Sequence, residues 1–208
     1  MMRRFGRMSL RQGSGYDGMM LGPTLETPRL FLRPPQPDDL DAWARMLADP
    51  VTTRFLSGPK QRSEAWRILT LMTGAWITRG FSTFSVIEKA SGLCIGRAGP
   101  WQPEGWPGTE IGWVLDRSVW GQGYATEAAA RCIAWAYDEL DWQEVVHVID
   151  PGNAASIAAA HKLGSERWGK TRLPAPFAGA TVDLYGQRRA AAVSKPVIRS
   201  APMRRGGT

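Results

Sequence analysis

The spacing of apolar side chains predicts a strand followed by two helices in the first third of the chain. Residues 29–33 (RLFLR) alternate apolar and basic side chains, which is typical of a half-buried strand. After three prolines, Leu40, Trp43 and Leu47 recur at helical spacing and predict a first helix. A second helix is predicted over residues 63–79, and its apolar side contains Trp66, Leu69, Thr73, Trp76 and Ile77.

Strands and one long amphipathic helix alternate in the rest of the chain. Ala129, Cys132, Ile133 and Ala136 recur at helical spacing within residues 122–140, so one face of this helix is predicted to be buried. The other predicted elements are strands at 81–88, 93–101, 109–116, 144–149, 167–173 and 181–185, and a helix at 153–163. This order predicts an α/β domain with a mixed sheet of about seven strands, in which the long helix joins a parallel pair.

The positive charge of the chain is concentrated at its two ends. Of the net charge of +7, residues 1–22 carry +3 and residues 188–208 carry +6, so the body between them is at about −2. Both ends are rich in arginine and show no hydrophobic periodicity, and they are predicted to be flexible tails on a single domain at 23–187. Because the body is slightly acidic, a specific nucleic-acid partner is not expected.

Cysteine and histidine are too few, and too far apart, for a metal site of the usual spacing. Cys94 and Cys132 form no CxxC motif, and only His147 and His161 are available as imidazole ligands. We therefore predict a metal-free protein in which both cysteines pack as small apolar side chains. The sequence has no apolar run of about 20 residues and no signal peptide, so a membrane partner is not expected and the cytoplasm is the expected location.

A glycine-containing turn before the long helix is the most informative segment. In WGQGYATE, residues 120–127, Gly121 and Gly123 allow a tight turn and a close approach of a ligand to the backbone. The helix that follows presents unpaired N–H groups and the positive end of its dipole, and both favour a bound pyrophosphate. The spacing differs from that of dinucleotide-binding and P-loop motifs. An ordinary turn before a helix would contain similar glycines.

Three segments together resemble a known family. Residues 110–128 (EIGWVLDRSVWGQGYATEA) are similar to the central motif of the GNAT superfamily of N-acetyltransferases, and most similar to the branch of the ribosomal-protein N-terminal acetyltransferases. The opening TPRLFLR at 27–33 and the later DPGN at 150–153, followed by Lys-Leu-Gly, also agree. The resemblance covers about residues 24–187. It implies the GNAT fold, with a splayed parallel strand pair at the centre of the sheet.

The resemblance also implies a reaction and a binding site. The expected activity is transfer of an acetyl group from acetyl-CoA, the co-substrate, to a primary amine, directly within a ternary complex. The backbone of Val114 and Leu115 is expected to bind the pantetheine arm, and Asn153 to bind its amides or to cap the next helix. The pyrophosphate is expected to bind the backbone amides of Gln122, Gly123, Tyr124, Ala125 and Thr126.

Glu110 and Ser156 are the candidate catalytic residues. Glu110 lies where many relatives have a base that acts through water, and burial beside Ile111 and Trp113 is expected to raise its pKa. A solvated carboxylate at the strand edge is the alternative interpretation. Ser156, which is also a candidate ligand of acetyl-CoA, lies where it would hydrogen-bond the departing thiolate or protonate it. His161 is expected only to pack.

Tryptophans supply the candidate substrate-binding residues. Trp101 and Trp106 lie in a proline- and glycine-rich stretch before Glu110 and are candidates for lining the acceptor pocket, whereas most of the ten tryptophans are expected in the core. Two positions depart from the pattern that the resemblance implies. Ser165 stands where a core phenylalanine is usual, and Trp168 is expected to compensate; Trp120 stands where many members have Arg or Gln, although the most similar branch commonly has Trp there.

The acceptor amine stays open between a protein N-terminus and a small molecule, and a homodimer is compatible with these features. The main alternative function is a non-catalytic acyl-CoA sensor on the same fold, because the candidate acid is weak. A nucleic-acid-binding module that uses the basic tails is a second alternative.

Overall fold

The protein is built around one mixed β-sheet with helices on both faces, seen in a computed structural model that describes residues 21–177 and 180–190. The predicted tails therefore fall almost entirely outside the described residues. The strands are β1 (Leu25–Glu26), β2 (Leu30–Arg33), β3 (Phe84–Glu88), β4 (Cys94–Trp101), β5 (Glu110–Leu115), β6 (Glu144–Ile149), β7 (Glu166–Arg172) and β8 (Thr181–Arg188). The helices are α1 (Leu40–Ala48), α2 (Arg62–Arg79), α3 (Tyr124–Glu139) and α4 (Ala154–Lys162).

The strand order across the sheet is β1-β2-β3-β4-β5-β6-β8-β7. Every neighbouring pair of described strands is antiparallel except β5 and β6, which are parallel and joined through α3. The predicted α/β class with a parallel pair is thus confirmed. The two-residue β1 is additional to the seven predicted strands, and β8 inserts between β6 and β7.

The parallel pair is joined over a very short length. Only Glu110 and Val146 are register partners, and the N–H of Val146 donates to the C=O of Thr109 at 3.0 Å. Beyond this point β5 and β6 diverge toward their carboxyl ends, which lie at the same edge of the sheet because the strands are parallel. We call this opening between β5 and β6 the fork.

The two faces of the sheet are covered by different helices. Helix α3 buries Ala129, Cys132, Ile133 and Ala136 against the sheet, which confirms the predicted face. Helices α1 and α2 cover the opposite face through buried side chains that include Trp43, Leu47 and Met72. Among the described residues, no helix is both long and apolar enough to cross a membrane.

The predicted buried side of α2 is partly wrong. Trp66 and Ile77 are 54% and 64% exposed, whereas the buried residues are Ala65, Leu69, Met72 and Trp76. Both sets recur at helical spacing, and the buried set contains the small Ala65, which allows α2 to lie close to α1.

The expectation for the tryptophans also needs correction. Only Trp43, Trp76 and Trp135 are buried among the ten, and Trp66, Trp120 and Trp168 are exposed large side chains. Trp76 and Trp135 both pack on Phe84, with ring centroids 4.9 and 5.3 Å from it.

Candidate active site

Glu110 lies where β5 and β6 begin to separate, and its carboxylate is buried, with the residue only 8% exposed. The indole Nε1–H of Trp106 donates to Oε2 at 2.6 Å, and the N–H of Val148 donates to Oε1 at 3.3 Å. Burial raises the pKa of Glu110 to about 7, although both hydrogen bonds and the charge of Arg97 act in the opposite direction. The described geometry contradicts the alternative of a solvated edge carboxylate, and a carboxylate with this pKa suits proton transfer near neutral pH.

The glycine turn forms the start of α3, at the carboxyl end of β5. Gly121 and Gly123 both have a positive φ, at 76° and 82°, and Gly123 is the N-cap residue of α3. Such φ values are costly for other residues, so the glycines are needed for this path of the backbone. The helix runs over 16 residues and begins at Tyr124, so the first amides after the turn lack partners within the helix.

An arginine that the sequence interpretation did not single out holds this turn in place. Arg29 donates from Nη1 to the C=O of Gln122 at 2.9 Å and from Nε to Glu127 at 2.6 Å. Its guanidinium also lies 4.1 Å from the ring centroid of Tyr124. Arg29 is part of the opening TPRLFLR segment, so two of the segments that carry the family resemblance meet in space.

The carboxylate of Glu127 ties the turn between β1 and β2 to α3. Thr27 donates its hydroxyl to Oε1 at 2.6 Å, and the backbone N–H of Arg29 donates to the same oxygen at 3.0 Å. Burial alone would raise the pKa of Glu127, but these hydrogen bonds and the Arg29 guanidinium lower it. Glu127 is therefore held as an anion that fixes Arg29 beside the glycine turn.

The backbone of β5 alternates between its two neighbours. The N–H of Asp116 donates to Ile95 of β4 at 2.8 Å, and Val114 is paired with Arg97 of β4, so the backbone groups of Val114 also face β4. The backbone N–H and C=O groups of Trp113 and Leu115 point the opposite way, toward the fork. Of the two residues predicted to bind the pantetheine arm, Leu115 faces the fork and Val114 does not, and Trp113 faces it in place of Val114. The direction of each residue depends on the register with β4, which the sequence does not show.

The exposed side chain of Trp120 forms a hydrogen bond with one of these backbone groups. Its Nε1–H donates to the C=O of Leu115 at 2.9 Å. This bond fixes the loop between β5 and α3, and the N–H of Leu115 still faces the fork. The side chain of Val114 points to the face of the sheet that α1 and α2 cover, where it packs among Met46, Leu47 and Ala65.

Asn153 and Ser156 lie just beyond the carboxyl end of β6. Asn153 is the N-cap of α4, since its Oδ1 accepts the N–H of Ser156 at 3.2 Å. The loop before Asn153 lies close to Phe55 in the α1–α2 connection. A Cβ at Gly152 would be 3.4 Å from the ring of this phenylalanine. The two segments at the carboxyl ends of β5 and β6 thus flank one opening, the usual position for a ligand in such sheets.

The two candidate substrate-binding tryptophans have different surroundings. Trp106 is partly buried, contacts Glu110 directly and has its ring centroid 6.2 Å from that of Phe177 in the β7–β8 connection. Trp101 is the cross-strand partner of Glu110 but packs partly against the cluster of Trp43, Leu69 and Met72 under α1 and α2. Trp106 is therefore the tryptophan closer to the carboxylate.

His147 is a buried group that sequence reasoning mentioned only as too isolated for a metal site. Its Nδ1 lies 2.6 Å from the C=O of Ile111 and its Nε2 lies 3.0 Å from the hydroxyl of Ser165. Burial lowers the pKa of His147 to about 4, so the ring is neutral. A lone histidine in an apolar strand gives no sequence signal for these contacts, which depend on the splay of β5 and β6.

Ser165, which stands where the resemblance leads us to expect a core phenylalanine, is a hydrogen-bond partner of this histidine. Ser165 is buried, and it also receives a hydrogen bond from Gln187 Nε2 at 3.1 Å. The expected compensation by Trp168 is wrong, because Trp168 is 39% exposed and packs across Gly186 instead. His161 is exposed, with its ring 5.5 Å from that of Tyr185.

Metal-ligating side chains are not grouped in the part of the chain that the structure describes, where no cluster of three or more could hold an ion. Cys94 and Cys132 are both free thiols, and burial raises the pKa of each. These thiols are poorly suited to nucleophilic catalysis, which needs the thiolate.

Comparisons with known proteins show which family the chain is similar to. Residues 29–166 match the acetyltransferase (GNAT) domain family. The uncharacterized N-acetyltransferase p20 of Bacillus licheniformis is 27% identical over 165 residues, which cover 78% of this chain and 93% of that protein.

Solved structures share the fold. An acetyltransferase from Agrobacterium tumefaciens superposes with a TM-score of 0.71 at 28% identity, over 80% of this chain and 95% of that chain. The ribosomal-protein-S5-alanine acetyltransferase from Vibrio fischeri superposes with a TM-score of 0.60 at 18% identity, over 80% of this chain and 96% of that chain.

Proposed function

Because the chain belongs to the GNAT acetyltransferase family, we propose that it transfers an acetyl group from acetyl-CoA to a primary amine, with Glu110 as the base. The observation that carries this proposal is the buried carboxylate of Glu110 at the fork, with a pKa of about 7. Members of this family use acetyl-CoA as co-substrate, and the fork and the glycine turn offer complementary backbone groups for it.

We assign the parts of acetyl-CoA to two backbone surfaces. The amides of Gln122, Gly123, Tyr124, Ala125 and Thr126 bind the pyrophosphate, supported by the positive φ of the two glycines and by the start of α3. The pantetheine arm lies in the fork as a short additional strand, and the groups of Trp113 and Leu115 that face the fork replace the predicted contact with Val114. Asn153 keeps its amide nitrogen for the arm while its oxygen caps α4.

The chemistry needs one base and one acid. Glu110 accepts a proton from the ammonium, directly or through water, and the free amine attacks the thioester carbonyl carbon. The C–N bond forms, the tetrahedral intermediate collapses and the C–S bond breaks with its electrons on sulfur. Ser156 is assigned a hydrogen bond to the departing thiolate, which takes up the proton that the attacking nitrogen loses as the amide forms. No acyl-enzyme is formed in this direct transfer.

The acceptor is assigned to the side of the sheet where Glu110 and Trp106 lie. Trp106 combines a polar bond to the base with an aromatic face beside Phe177, which is suited to the apolar part of an amine substrate. Trp101 contributes less, because it packs under α1 and α2. A protein N-terminus and a small-molecule amine both fit this description, and the cytoplasm, where acetyl-CoA is available, is the proposed location.

The test is release of free CoA thiol with a panel of amines that includes peptides and small molecules. The wild type is expected to release thiol with at least one amine, and Glu110→Gln is expected to lose about 100-fold or more of kcat/KM with the same amine. Ser156→Ala serves as the comparison, with a smaller loss of kcat and unchanged binding of acetyl-CoA. Tight binding of acetyl-CoA without turnover of any amine would favour the sensor instead.

A further inference from the structure

The fork has a defined starting point in the backbone hydrogen bonds. In a parallel ladder that pairs Glu110 with Val146, the next bond would run from the N–H of Val148 to the C=O of Ile111. The two strands have no register partners beyond Glu110 and Val146, so the paired part of the ladder ends before this position. The sheet therefore divides at one specific position rather than fraying gradually.

Two side chains bind the backbone groups that the next ladder bond would join. The N–H of Val148 donates to Oε1 of Glu110 at 3.3 Å. The C=O of Ile111 accepts from Nδ1 of His147 at 2.6 Å. Side chains alternate along a strand, so Glu110 lies on the sheet face of α1 and α2, with Val114. His147 shares the other face with Val145, which packs in the core beside α3. One side chain on each face of the sheet thus keeps the strands apart.

The neighbours of His147 determine its proton position. A carbonyl oxygen only accepts, so Nδ1 carries the hydrogen and Nε2 accepts the hydroxyl hydrogen of Ser165. Ser165 in turn accepts a hydrogen bond from Gln187, which also donates to the C=O of Leu163 at 2.9 Å. Both ring nitrogens and the hydroxyl of Ser165 thus have hydrogen-bond partners, which hold the ring in one tautomer and one orientation. The ring of Trp113 packs beside the imidazole, at 5.0 Å between centroids.

We propose that His147 is a positioning residue that holds the fork open for the pantetheine arm by occupying the C=O of Ile111. This inference rests on the proposed function, because it assigns the arm to the fork. Neighbouring strands lie about 4.8 Å apart, so a chain inserted between two of them needs a separation of about 10 Å. Without the imidazole, the C=O of Ile111 is free to accept the N–H of Val148, which would exchange its 3.3 Å bond to Glu110 for a bond of the ladder and so narrow the entrance.

The decisive variant is His147→Val, which removes the donor and places a residue that favours strands at the fork. His147→Asn is the rescue variant, because its side-chain N–H₂ reaches the position of Nδ1. Ser165→Ala is the matched control, since it removes the contact at Nε2 and leaves the bond to Ile111. Titration calorimetry gives the Kd for acetyl-CoA, and steady-state kinetics separate KM from kcat.

We expect His147→Val to raise the Kd and KM for acetyl-CoA by about tenfold, with kcat at saturation changed by about twofold or less. His147→Asn should restore most of the affinity, and Ser165→Ala should lower the thermal midpoint without changing the Kd. If His147 had only a structural role, the affinity for acetyl-CoA would be unchanged in His147→Val, or it would be lost equally in all three variants. Either of these results overturns the proposal.

A measurement that needs no ligand separates this inference from the proposed function. Scalar coupling across hydrogen bonds in NMR should be absent between the Val148 nitrogen and the Ile111 carbonyl carbon in the wild type and appear in His147→Val. The imidazole nitrogens of the wild type should show the Nδ1–H tautomer. A Val148–Ile111 coupling in the wild type refutes the positioning role even if His147→Val does not fold. Failure of the wild type to bind acetyl-CoA would instead refute the proposed function.

Discussion

The substitution Glu110→Gln tests the electrostatics of the site independently of any substrate. Burial is the main cause of the raised pKa of Glu110, so the folded protein resists ionising this carboxyl group. Between pH 4.5, the ordinary pKa of the group, and pH about 7, its pKa in the fold, the folded protein binds more protons than the unfolded chain. The free energy of unfolding therefore falls as the pH rises through this window and is constant above it, as far as Glu110 is concerned.

The size of the effect follows from the two pKa values. The difference between 4.5 and about 7 corresponds to about 3 kcal/mol, because one pKa unit is about 1.4 kcal/mol. Glutamine does not titrate, so the stability of the variant relative to the wild type should rise by about 3 kcal/mol between pH 4.5 and pH 8. At every pH the variant is also destabilised by about 1–3 kcal/mol, because its single amide oxygen cannot accept hydrogen bonds from both Trp106 and Val148.

Urea unfolding followed by tryptophan fluorescence at pH 4.5, 5.5, 6.5 and 8 measures this difference, and other titrating groups cancel between the two proteins. The expected result is a difference that changes with pH in the stated direction and levels off above pH 7. The same ionisation should appear as a rise of kcat/KM toward a plateau above pH 7 in the wild type. A stability difference that does not vary with pH would show that the pKa of Glu110 is the same in the folded and unfolded protein.

Three other substitutions address the surroundings of the site. Arg29→Gln should raise the Kd for acetyl-CoA about three- to tenfold in calorimetry, because Glu127 loses its cation and the turn loses a bond to its carbonyl; an unchanged Kd would show that the turn holds its shape alone. Trp106→Phe removes a hydrogen bond that lowers the pKa of Glu110, so the pH–rate profile should shift to higher pH, and a shift to lower pH would contradict the assignment. Ser165→Ala should lower the free energy of unfolding by about 1–3 kcal/mol in urea titration, because it leaves buried polar partners unpaired; a neutral effect would show that water replaces the hydroxyl.

The elements with a strong local pattern were predictable from the sequence. Helix α3 has a buried stripe at 129, 132, 133 and 136 and a glycine turn before it, and both signals lie within one short segment. The pair of β5 and β6 follows from their position on either side of this helix, because such connections join parallel strands. The burial of Glu110 was anticipated from its apolar neighbours Ile111 and Trp113.

What depended on distant parts of the chain was not predictable. Arg29 reaches the glycine turn across a separation of 93 residues, and no local pattern indicates that contact. Which residues of β5 face the fork depends on the register with β4, so Val114 was named where Trp113 and Leu115 face the opening. The buried side of α2 was ambiguous for a different reason, since two stripes at helical spacing overlap and only packing on α1 selects one.

Calorimetric titration of acetyl-CoA tests whether this ligand binds across the glycine turn. The wild type is compared with Gly123→Glu, which places a carboxylate where the pyrophosphate is assigned, and with Gly80→Glu at the end of α2. Gly80 is the matched control because its φ of 76° is close to the 82° of Gly123, and neither position would bring a Cβ within 3.4 Å of another group. If the pyrophosphate binds at this turn, the wild type and Gly80→Glu bind acetyl-CoA alike and Gly123→Glu binds it about 100-fold more weakly. Equal binding by all three proteins, or by none of them, would contradict this assignment.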